Sequence, residues 1–254
     1  MSQPGTLLVV SAHAADFVWR SGGAIALHSA QGWKVRVLCL TFGERGESAR
    51  LWKEGKSLED IKSVRRFEAE QAAAILGAEI RFFDVGDYPI DVTPELRNDL
   101  VQEIRENRPN IILTHTFVDP YNADHPRTAE LVREARILAQ AHGYPSEHPP
   151  IGAPQLYSFE PHQPEQCQFR VDLLLDITSV FEKSGRLWNA CKRKNICGCT
   201  TPTWRNVVAC KRGAIPGRTS CTRRPINAFS HRSEVRLYEA CHCNGRPTTE
   251  QRSC

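Results

Sequence analysis

The chain of 254 residues is 41% hydrophobic and carries a formal net charge of +4, which suits one folded domain of ordinary size. It contains no run of about 18 uninterrupted apolar residues, and its N-terminus lacks a basic segment followed by an apolar one. These features exclude a typical membrane span and a typical secretory signal, so a soluble, cytoplasmic protein without a membrane partner is expected.

Up to Lys183, short apolar strands alternate with amphipathic helices. Strands are predicted at residues 6–11, 34–42, 79–85 and 110–115, and helices at residues 22–31, 57–76, 93–107 and 127–142. Ser57 is expected to cap the second helix and Gly77 to end it. This alternation predicts an α/β fold, a Rossmann-like open and mostly parallel sheet with helices on both faces.

Polar side chains collect where these predicted strands end. His13 and Asp16 follow the first strand, the segment FGERGES (residues 42–48) follows the second, and HTFVDPYNADHPR (residues 115–127) follows the fourth. Ligands of open parallel sheets bind beyond the carboxyl ends of the strands. The three loops are therefore expected to surround one crevice.

His13, Asp16 and His125 have the chemistry of a divalent metal site. Zinc accepts neutral imidazoles and carboxylates, and three protein ligands leave one position open for water or substrate. Each residue also has a structural interpretation, because His13 or Asp16 could stabilise the start of the next helix and His125 could lie on the surface. Their joint position at neighbouring strand ends favours the metal site.

Residues 6–183 resemble the PIG-L superfamily, the LmbE-like zinc-dependent N-acetylglucosaminyl deacetylases and their relatives. The A-H-P-D-D signature of that family corresponds to Ala12-His13-Ala14-Ala15-Asp16, and its H-P-D-H signature to Asn122-Ala123-Asp124-His125. The resemblance implies that His13, Asp16 and His125 are the zinc ligands. It also implies that Asp124, beside His125, supports the site.

Both signatures depart from the deacetylase pattern. The first aspartate of A-H-P-D-D is the general base of amide hydrolysis, and Ala15 stands in its place. The leading histidine of H-P-D-H is replaced by Asn122. Since an alanine cannot accept a proton, the usual amide hydrolysis is not expected.

Four segments together resemble the 4-oxalomesaconate hydratases of gallate and protocatechuate breakdown, a branch that keeps the zinc fold and adds water to a carbon–carbon double bond. They are SAHAADFVWRSGGAIALH, FGERGES, DPYNADHP and FEPHQPEQC. The resemblance implies a small polycarboxylate substrate with a keto or enol group and a zinc cofactor. A hydratase is expected, and a zinc-dependent N-acyl deacetylase is the alternative.

Such a substrate requires hydrogen-bond donors, and arginine binds carboxylates in a bidentate manner. The candidate substrate-binding residues are Arg20, Arg45, Arg50, Arg127 and Asn122. Hydration also requires proton transfer. The candidate catalytic residues are Asp124, Glu44, Glu47, His115 and His162. The sequence does not rank them, because each arginine could be a surface residue and His162 a structural one.

The composition changes abruptly after Lys183. Residues 1–183 contain 19 Lys+Arg against 26 Asp+Glu and two cysteines, whereas residues 184–254 contain 14 against 3 and eight cysteines. The tail could bind zinc, although its C-x-C pairs lack the spacing of a zinc ribbon, or it could be a basic arm for nucleic acid. A third hypothesis is that the gene is translated out of frame after this point.

We favour the shifted frame. With permitted codons, residues 183–214 can be re-read in another frame as a proline-free, helix-forming sequence with apolar residues at helical spacing. The tail as it stands is interrupted by Pro202, Pro216, Pro225 and Pro247. The sequence therefore predicts a catalytic domain at residues 1–183 and a tail without a compact core, catalytic residue or structural zinc. The acidic body argues against a nucleic-acid partner, and a homo-oligomer is left open.

Overall fold

The computed structural model describes residues 4–181, 207–212 and 237–239. The helices are α1 (Asp16–Ala30), α2 (Ala49–Lys53), α3 (Leu58–Leu76), α4 (Pro94–Asn107) and α5 (Asp124–Leu138). The strands are β1 (Thr6–Ser11), β2 (Lys34–Cys39), β3 (Glu79–Phe82), β4 (Ile111–Thr114), β5 (Gln155–Phe159), β6 (Leu173–Asp176), β7 (Val207–Arg212) and β8 (Leu237–Glu239). Among the described residues, no helix has both the length and the apolar character needed to cross a bilayer.

The strands form one sheet in the order β3-β2-β1-β4-β5-β7-β6-β8. The first five are parallel, and β7 then pairs antiparallel with both β5 and β6. The chain moves from β1 to one side of the sheet and later returns to the other side at β4. This reversal opens a crevice at the carboxyl ends of β1 and β4, and the predicted α/β fold is confirmed.

Helices cover both faces of the parallel strands. Because successive residues of a strand point to opposite faces of the sheet, alternate residues of β1 pack against different helices. Leu7 and Val9 of β1 are buried in the apolar cluster formed with α1 and α3. Leu8 and Val10 are buried in a second cluster with α4 and α5. With both faces covered, β1 carries four consecutive buried apolar residues, Leu7 to Val10, at the centre of the fold.

Two helices that approach the crevice begin earlier than predicted. Helix α1 begins at Asp16 rather than at residue 22, and α5 begins at Asp124 rather than at residue 127. Gly22, predicted as a helix start, lies inside α1, where a Cβ would be at an ordinary contact distance of 3.8 Å from the side chain of Leu76 on α3. The surrounding helix has therefore overridden the low helix propensity of glycine. As a result, Asp16 and Asp124 are each the first residue of a helix, where a carboxylate is favoured.

The ends of α3 are as predicted. Ser57 Oγ accepts a hydrogen bond from the Asp60 N–H at 3.1 Å, and the Asp60 carboxylate accepts one from the Ser57 N–H at 3.3 Å. Gly77 ends the helix with a φ of 78°, in the left-handed region that favours glycine. Both signals are local in the sequence, which is why they could be recognised there.

The tail contributes β7 and β8, which pair with β5 and β6 through their backbones. Strands β5 and β6 were not predicted from the sequence. The absence of a compact core and of structural zinc in residues 184–254 stays a prediction, because the cysteine side chains of that segment lie outside the described residues. Where the structure does describe cysteine side chains, Cys39 and Cys167, both are free thiols.

Arg105 on α4 fastens the segment that follows α5. Its side chain is buried, and its guanidinium donates hydrogen bonds of 2.7–3.3 Å to five backbone oxygens. They belong to Leu138, Ala139, Ala141, Tyr144 and His148. One side chain thus satisfies carbonyls at the end of α5 that have no partner within the helix.

We expect Arg105→Met to lower the free energy of unfolding by about 3 kcal/mol, because it removes the five hydrogen bonds that a buried guanidinium donates. Urea unfolding followed by circular dichroism would measure it. The matched control is Arg133→Met, because Arg133 is bound only to Glu130 on the surface of α5, and its loss should cost less than about 1 kcal/mol. Equal stability of the two variants would contradict this role of Arg105.

Candidate metal centre

Three side chains that could bind a metal meet in the crevice. His13 lies just after β1, Asp16 is the first residue of α1, and His125 is in the first turn of α5. One potential ligand atom from each residue lies within 4.8 Å of the other two. The predicted cluster is therefore brought together by the strand reversal between β1 and β4.

The two nitrogens of His13 face different carboxylates. Nε2 lies 3.4 Å from Asp124 Oδ2, and Nδ1 lies 3.0 Å from Asp16 Oδ2. Burial lowers the pKa of His13, but the carboxylates of Glu47, Asp124 and Asp16 outweigh it and raise the pKa well above its usual value. The carboxylates around this ring thus favour a positive charge on it, which a metal ion bound at Nδ1 would supply in place of a proton.

His125 is held in the same way from the other side. Its Nδ1 lies 2.7 Å from Asp119 Oδ2, whereas Nε2 is buried without a hydrogen-bond partner among the described residues. This Nε2 faces Asp16 Oδ2 at 3.6 Å. Burial lowers the pKa of His125, yet Asp16 and Asp119 raise it to about 9. An orphaned ring nitrogen directed at a carboxylate fits a metal ligand.

Asp16 is the point on which the cluster converges. Its Oδ2 accepts a hydrogen bond from the backbone N–H of His13 at 3.0 Å and lies 3.5 Å from His115 Nε2. Burial raises the pKa of Asp16, but the charge of His125 and the hydrogen bond from His13 keep it well below its usual value. The group is therefore an ionised carboxylate and suits a divalent cation.

Asp119 and Asp124 orient the two imidazoles. Each lies at the histidine nitrogen that faces away from Asp16, an arrangement that recurs around protein-bound metals. Asp124 is fixed by hydrogen bonds of 2.9 Å from the backbone N–H groups of Tyr88 and Ile90. Burial raises its pKa, but His13 and these backbone donors lower it to about 2. The sequence placed Asp124 beside His125, whereas the structure shows that its side chain contacts His13.

His115 supports the cluster from behind. Its Nε2 accepts a hydrogen bond from the backbone N–H of Ala12 at 3.0 Å, and its ring stacks on that of His125 with centroids 4.1 Å apart. Burial and the neighbouring His125 hold the pKa of His115 well below its usual value, so the ring is neutral. Its place in proton transfer stays a prediction.

Glu47 is a carboxylate at the cluster that also reaches solvent. Its Oε1 lies 3.6 Å from His13 Nδ1, and its side chain is 27% exposed. Burial and the charge of Asp16 raise its pKa. Arg65 Nη2 lies 3.6 Å from Glu47 Oε2, and Arg65 also donates to the backbone oxygen of Phe42 at 3.3 Å. Glu47 is thus held beside the metal ligands and open to the crevice.

The other two acid–base candidates are Glu44 and His162, and their place in proton transfer stays a prediction. Glu44 is buried, and its Oε2 accepts a hydrogen bond from the Phe42 N–H at 3.1 Å. His162 is exposed. Within the described part of the chain, neither side chain has a hydrogen bond or ion pair with His13, Asp16 or His125.

The predicted arginines differ in how their charges are used. Arg45 donates to the backbone oxygen of Asp87 at 2.6 Å, and Arg50 pairs with Glu54 at 2.9 Å on the surface of α2. Both guanidinium groups therefore have partners among the described residues, and their role in binding a substrate stays a prediction.

Arg20 and Arg127 are better placed. Arg20 lies one turn after Asp16 on α1, and its charge contributes to the low pKa of His115. Among residues 4–181 it makes no hydrogen bond or ion pair, and its role in binding a substrate stays a prediction. Arg127 Nη1 lies 3.5 Å from Asp124 Oδ1 at the start of α5, and its side chain is largely exposed.

Three contributors to the site were missed in the sequence. Asp119 lies six residues before His125 in the loop, a separation that matches no helix or strand period. Arg65 lies within α3, where nothing in the helical pattern distinguishes it from other charged residues. Tyr88 lies in the segment between β3 and α4, where no element was predicted. The one available signal was that Asp119 belongs to the quoted segment DPYNADHP.

Comparisons with known proteins assign the chain to a family. A family profile described as PIG-L, GlcNAc-PI de-N-acetylase, matches residues 8–136. A 4-oxalmesaconate hydratase of Pseudomonas putida is 55% identical over 177 residues, which are 69% of each chain. The crystal structure of GalB, the 4-carboxy-2-hydroxymuconate hydratase from Pseudomonas putida, matches with a TM-score of 0.73 and 42% identity, covering 86% of this chain and 100% of that one.

A more distant relative is a deacetylase. The diacetylchitobiose deacetylase of Thermococcus kodakarensis is 29% identical over 184 residues, which are 69% of this chain and 65% of the relative. The similarity thus extends to amide hydrolases but is weaker there than to the hydratase.

We expect His13→Ala and His125→Ala to lose the one divalent ion per chain that the cluster is expected to bind, because each variant leaves only two ligands. Asp119→Asn should keep the ligands but weaken metal affinity about 10- to 100-fold, since the carboxylate no longer orients His125. Metal content after dialysis and competition with a chromophoric chelator would measure these effects. His142→Ala, at an exposed histidine, is the control, and full occupancy in both ligand variants would remove the site.

Proposed function

The chain belongs to the PIG-L family, and from that premise we propose that it is a zinc-dependent hydratase that adds water to the carbon–carbon double bond of 4-oxalomesaconate. The similarity to the hydratase at 55% identity supports this reaction over deacetylation, for which the relative is 29% identical. This small polycarboxylate is the ligand that we propose for the site.

The observation that carries the proposal is the distribution of carboxylates around the cluster. Ala15 precedes the first residue of α1 and presents only a methyl group where the deacetylase signature has its general base. Glu47, on the loop after β2, reaches His13 Nδ1 instead. We therefore assign the proton acceptor to this loop rather than to the start of α1.

His13, Asp16 and His125 would hold the zinc ion, because two imidazole nitrogens and one carboxylate oxygen are a common catalytic donor set. When bound, zinc supplies a positive charge that polarises substrate oxygens or lowers the pKa of water. Asp119 and Asp124 keep the ligand nitrogens directed inward.

Glu47 has the position required for proton transfer. Addition of water breaks one O–H bond of water and the π bond of the C=C unit, and it forms a C–O bond and, on the adjacent carbon, a C–H bond with the proton that water gave up. Glu47 Oε1 accepts the proton of water on the side of the cluster that is open to the crevice. Arg65, held by the backbone oxygen of Phe42, keeps the carboxylate at this place.

Cations on the same rim suit a substrate with several carboxylates. Arg20 has no competing partner among residues 4–181 and lies one turn along α1 from Asp16. A guanidinium in that position can bind a carboxylate in a bidentate manner while another part of the substrate lies at the cluster.

We expect Glu47→Gln to lower kcat for 4-oxalomesaconate hydration by about 10²- to 10⁴-fold, because the amide cannot accept the proton. Metal content should be unchanged, since Glu47 is not among the three ligands. The control is Glu59→Gln, a highly exposed glutamate near Lys62. Wild-type kcat in Glu47→Gln, measured by the absorbance of the substrate, would exclude Glu47 as the base.

We expect the zinc-loaded chain to hydrate 4-oxalomesaconate and to leave N-acetylglucosamine conjugates intact when both are assayed side by side. Ala15→Asp restores the carboxylate of the signature and should raise amide hydrolysis slightly, because a base then lies at the start of α1. The family description and the deacetylase relative support the alternative activity. Efficient deacetylation without hydration would decide for that alternative.

A further inference from the structure

Tyr88 forms part of the crevice wall next to the metal cluster. Its ring centroid lies 5.8 Å from that of His13, and its side chain is half-exposed. The backbone φ is 48°, in the left-handed region that non-glycine residues seldom occupy. The hydrogen bond from its N–H to Asp124 Oδ2 at 2.9 Å holds it there. Strain of this kind persists where the surroundings impose a particular side-chain position.

The ring of Tyr88 rests directly on the backbone of the FGERGES loop. A Cβ built on Gly46 would lie 2.0 Å from the nearest ring carbon, so residue 46 can only be glycine while the ring occupies this place. The ring is therefore confined between the Gly46 backbone and His13. Its hydroxyl group has a defined position at the rim.

Asn122 determines which way the Tyr88 hydroxyl can bond. Asn122 Oδ1 accepts a hydrogen bond from the Asp124 N–H at 3.0 Å, so the other end of the amide must be Nδ2. This Nδ2 donates to Tyr88 Oη at 2.9 Å. Since an amide NH₂ has no lone pair to offer, the hydroxyl proton of Tyr88 points elsewhere. Within residues 4–181 it meets no acceptor.

We propose that the Tyr88 hydroxyl, directed by Asn122, donates a hydrogen bond to a carboxylate of the substrate. The substrate class rests on the proposed function. The carboxylates of Asp87 and Asp124 lie nearby, but backbone N–H groups already donate hydrogen bonds to them. The neutral Tyr88 hydroxyl can therefore donate to a carboxylate of the substrate instead. The hydrogen bond from Asn122 to Tyr88 also assigns a role to Asn122, which stands where the family signature has a histidine.

Two variants test the donor in complementary ways. Tyr88→Phe removes the hydroxyl, whereas Asn122→Asp keeps the acceptor for the Asp124 N–H but replaces the Nδ2 donor by an oxygen that would capture the Tyr88 proton. Calorimetry with trans-aconitate, an unsaturated tricarboxylate, gives the Kd of each zinc-loaded full-length chain, and KM and kcat are measured with 4-oxalomesaconate. Tyr144→Phe is the control, because Tyr144 packs beside α4 and α5 away from the cluster.

Tyr88→Phe should weaken trans-aconitate binding and raise KM by about 10- to 100-fold, with kcat within about threefold of wild type. Asn122→Asp should show a similar loss, and adding it to Tyr88→Phe should change Kd by less than about threefold, because the shared hydrogen bond is already absent. Zinc content should stay at the wild-type value in all variants.

Wild-type affinity in Tyr88→Phe, additive losses in the double variant, or a wild-type chain that binds no tricarboxylate would each overturn this role of Tyr88. Additive losses would mean that the new charge of Asn122→Asp acts by repulsion alone. A wild-type chain that binds trans-aconitate through Tyr88 but does not hydrate 4-oxalomesaconate would refute the proposed reaction and leave the carboxylate site standing.

Discussion

The candidate site depends on two carboxylates that each hold the outer nitrogen of a histidine. Asp119 does so for His125 and Asp124 for His13, which leaves the remaining ring nitrogens directed at Asp16. Buried ionised groups are tolerated only when they are paired and hydrogen-bonded. Each of these carboxylates therefore needs the imidazole that it orients. Asp124 extends the constraint further, because Tyr88 and Ile90 bind it through their backbones and thereby fix the segment between β3 and α4.

The fold and the cluster could be predicted because both follow from local patterns. Apolar runs and helical spacing indicate the parallel sheet, and the carboxyl ends of β1 and β4 must meet, so His13 and His125 could be assigned to one crevice. Asp119, Arg65 and Tyr88 could not, because their positions depend on how loops fold back and on which face of α3 packs inward. The same kind of information was needed to see that α1 begins at Asp16.

The comparison with the deacetylases shows how one scaffold can support two reactions. Both chemistries use water beside a metal ion, and both need a base that takes a proton from it. They differ in the atom that finally receives this proton, which is the leaving amine nitrogen in deacetylation and a substrate carbon in hydration. In this chain the start of α1 carries the proposed ligand Asp16 without an adjacent carboxylate at residue 15, and the loop after β2 carries the proposed base Glu47. A change of reaction thus needs few changes at the strand ends and none in the sheet, in agreement with the general independence of fold and function.

The antiparallel pairing of β7 with β5 has a consequence for how much the end of the chain can vary. Residues 207–212 lie in the basic tail, yet they supply hydrogen bonds along Tyr157–Phe159, which would otherwise be an open sheet edge able to bind another chain. A ladder is made of main-chain groups, and every residue except proline carries the same donor and acceptor. The edge of β5 can therefore be protected by a strand of almost any side-chain sequence. Mutations that change the side chains of residues 207–212 can leave this protection against aggregation in place.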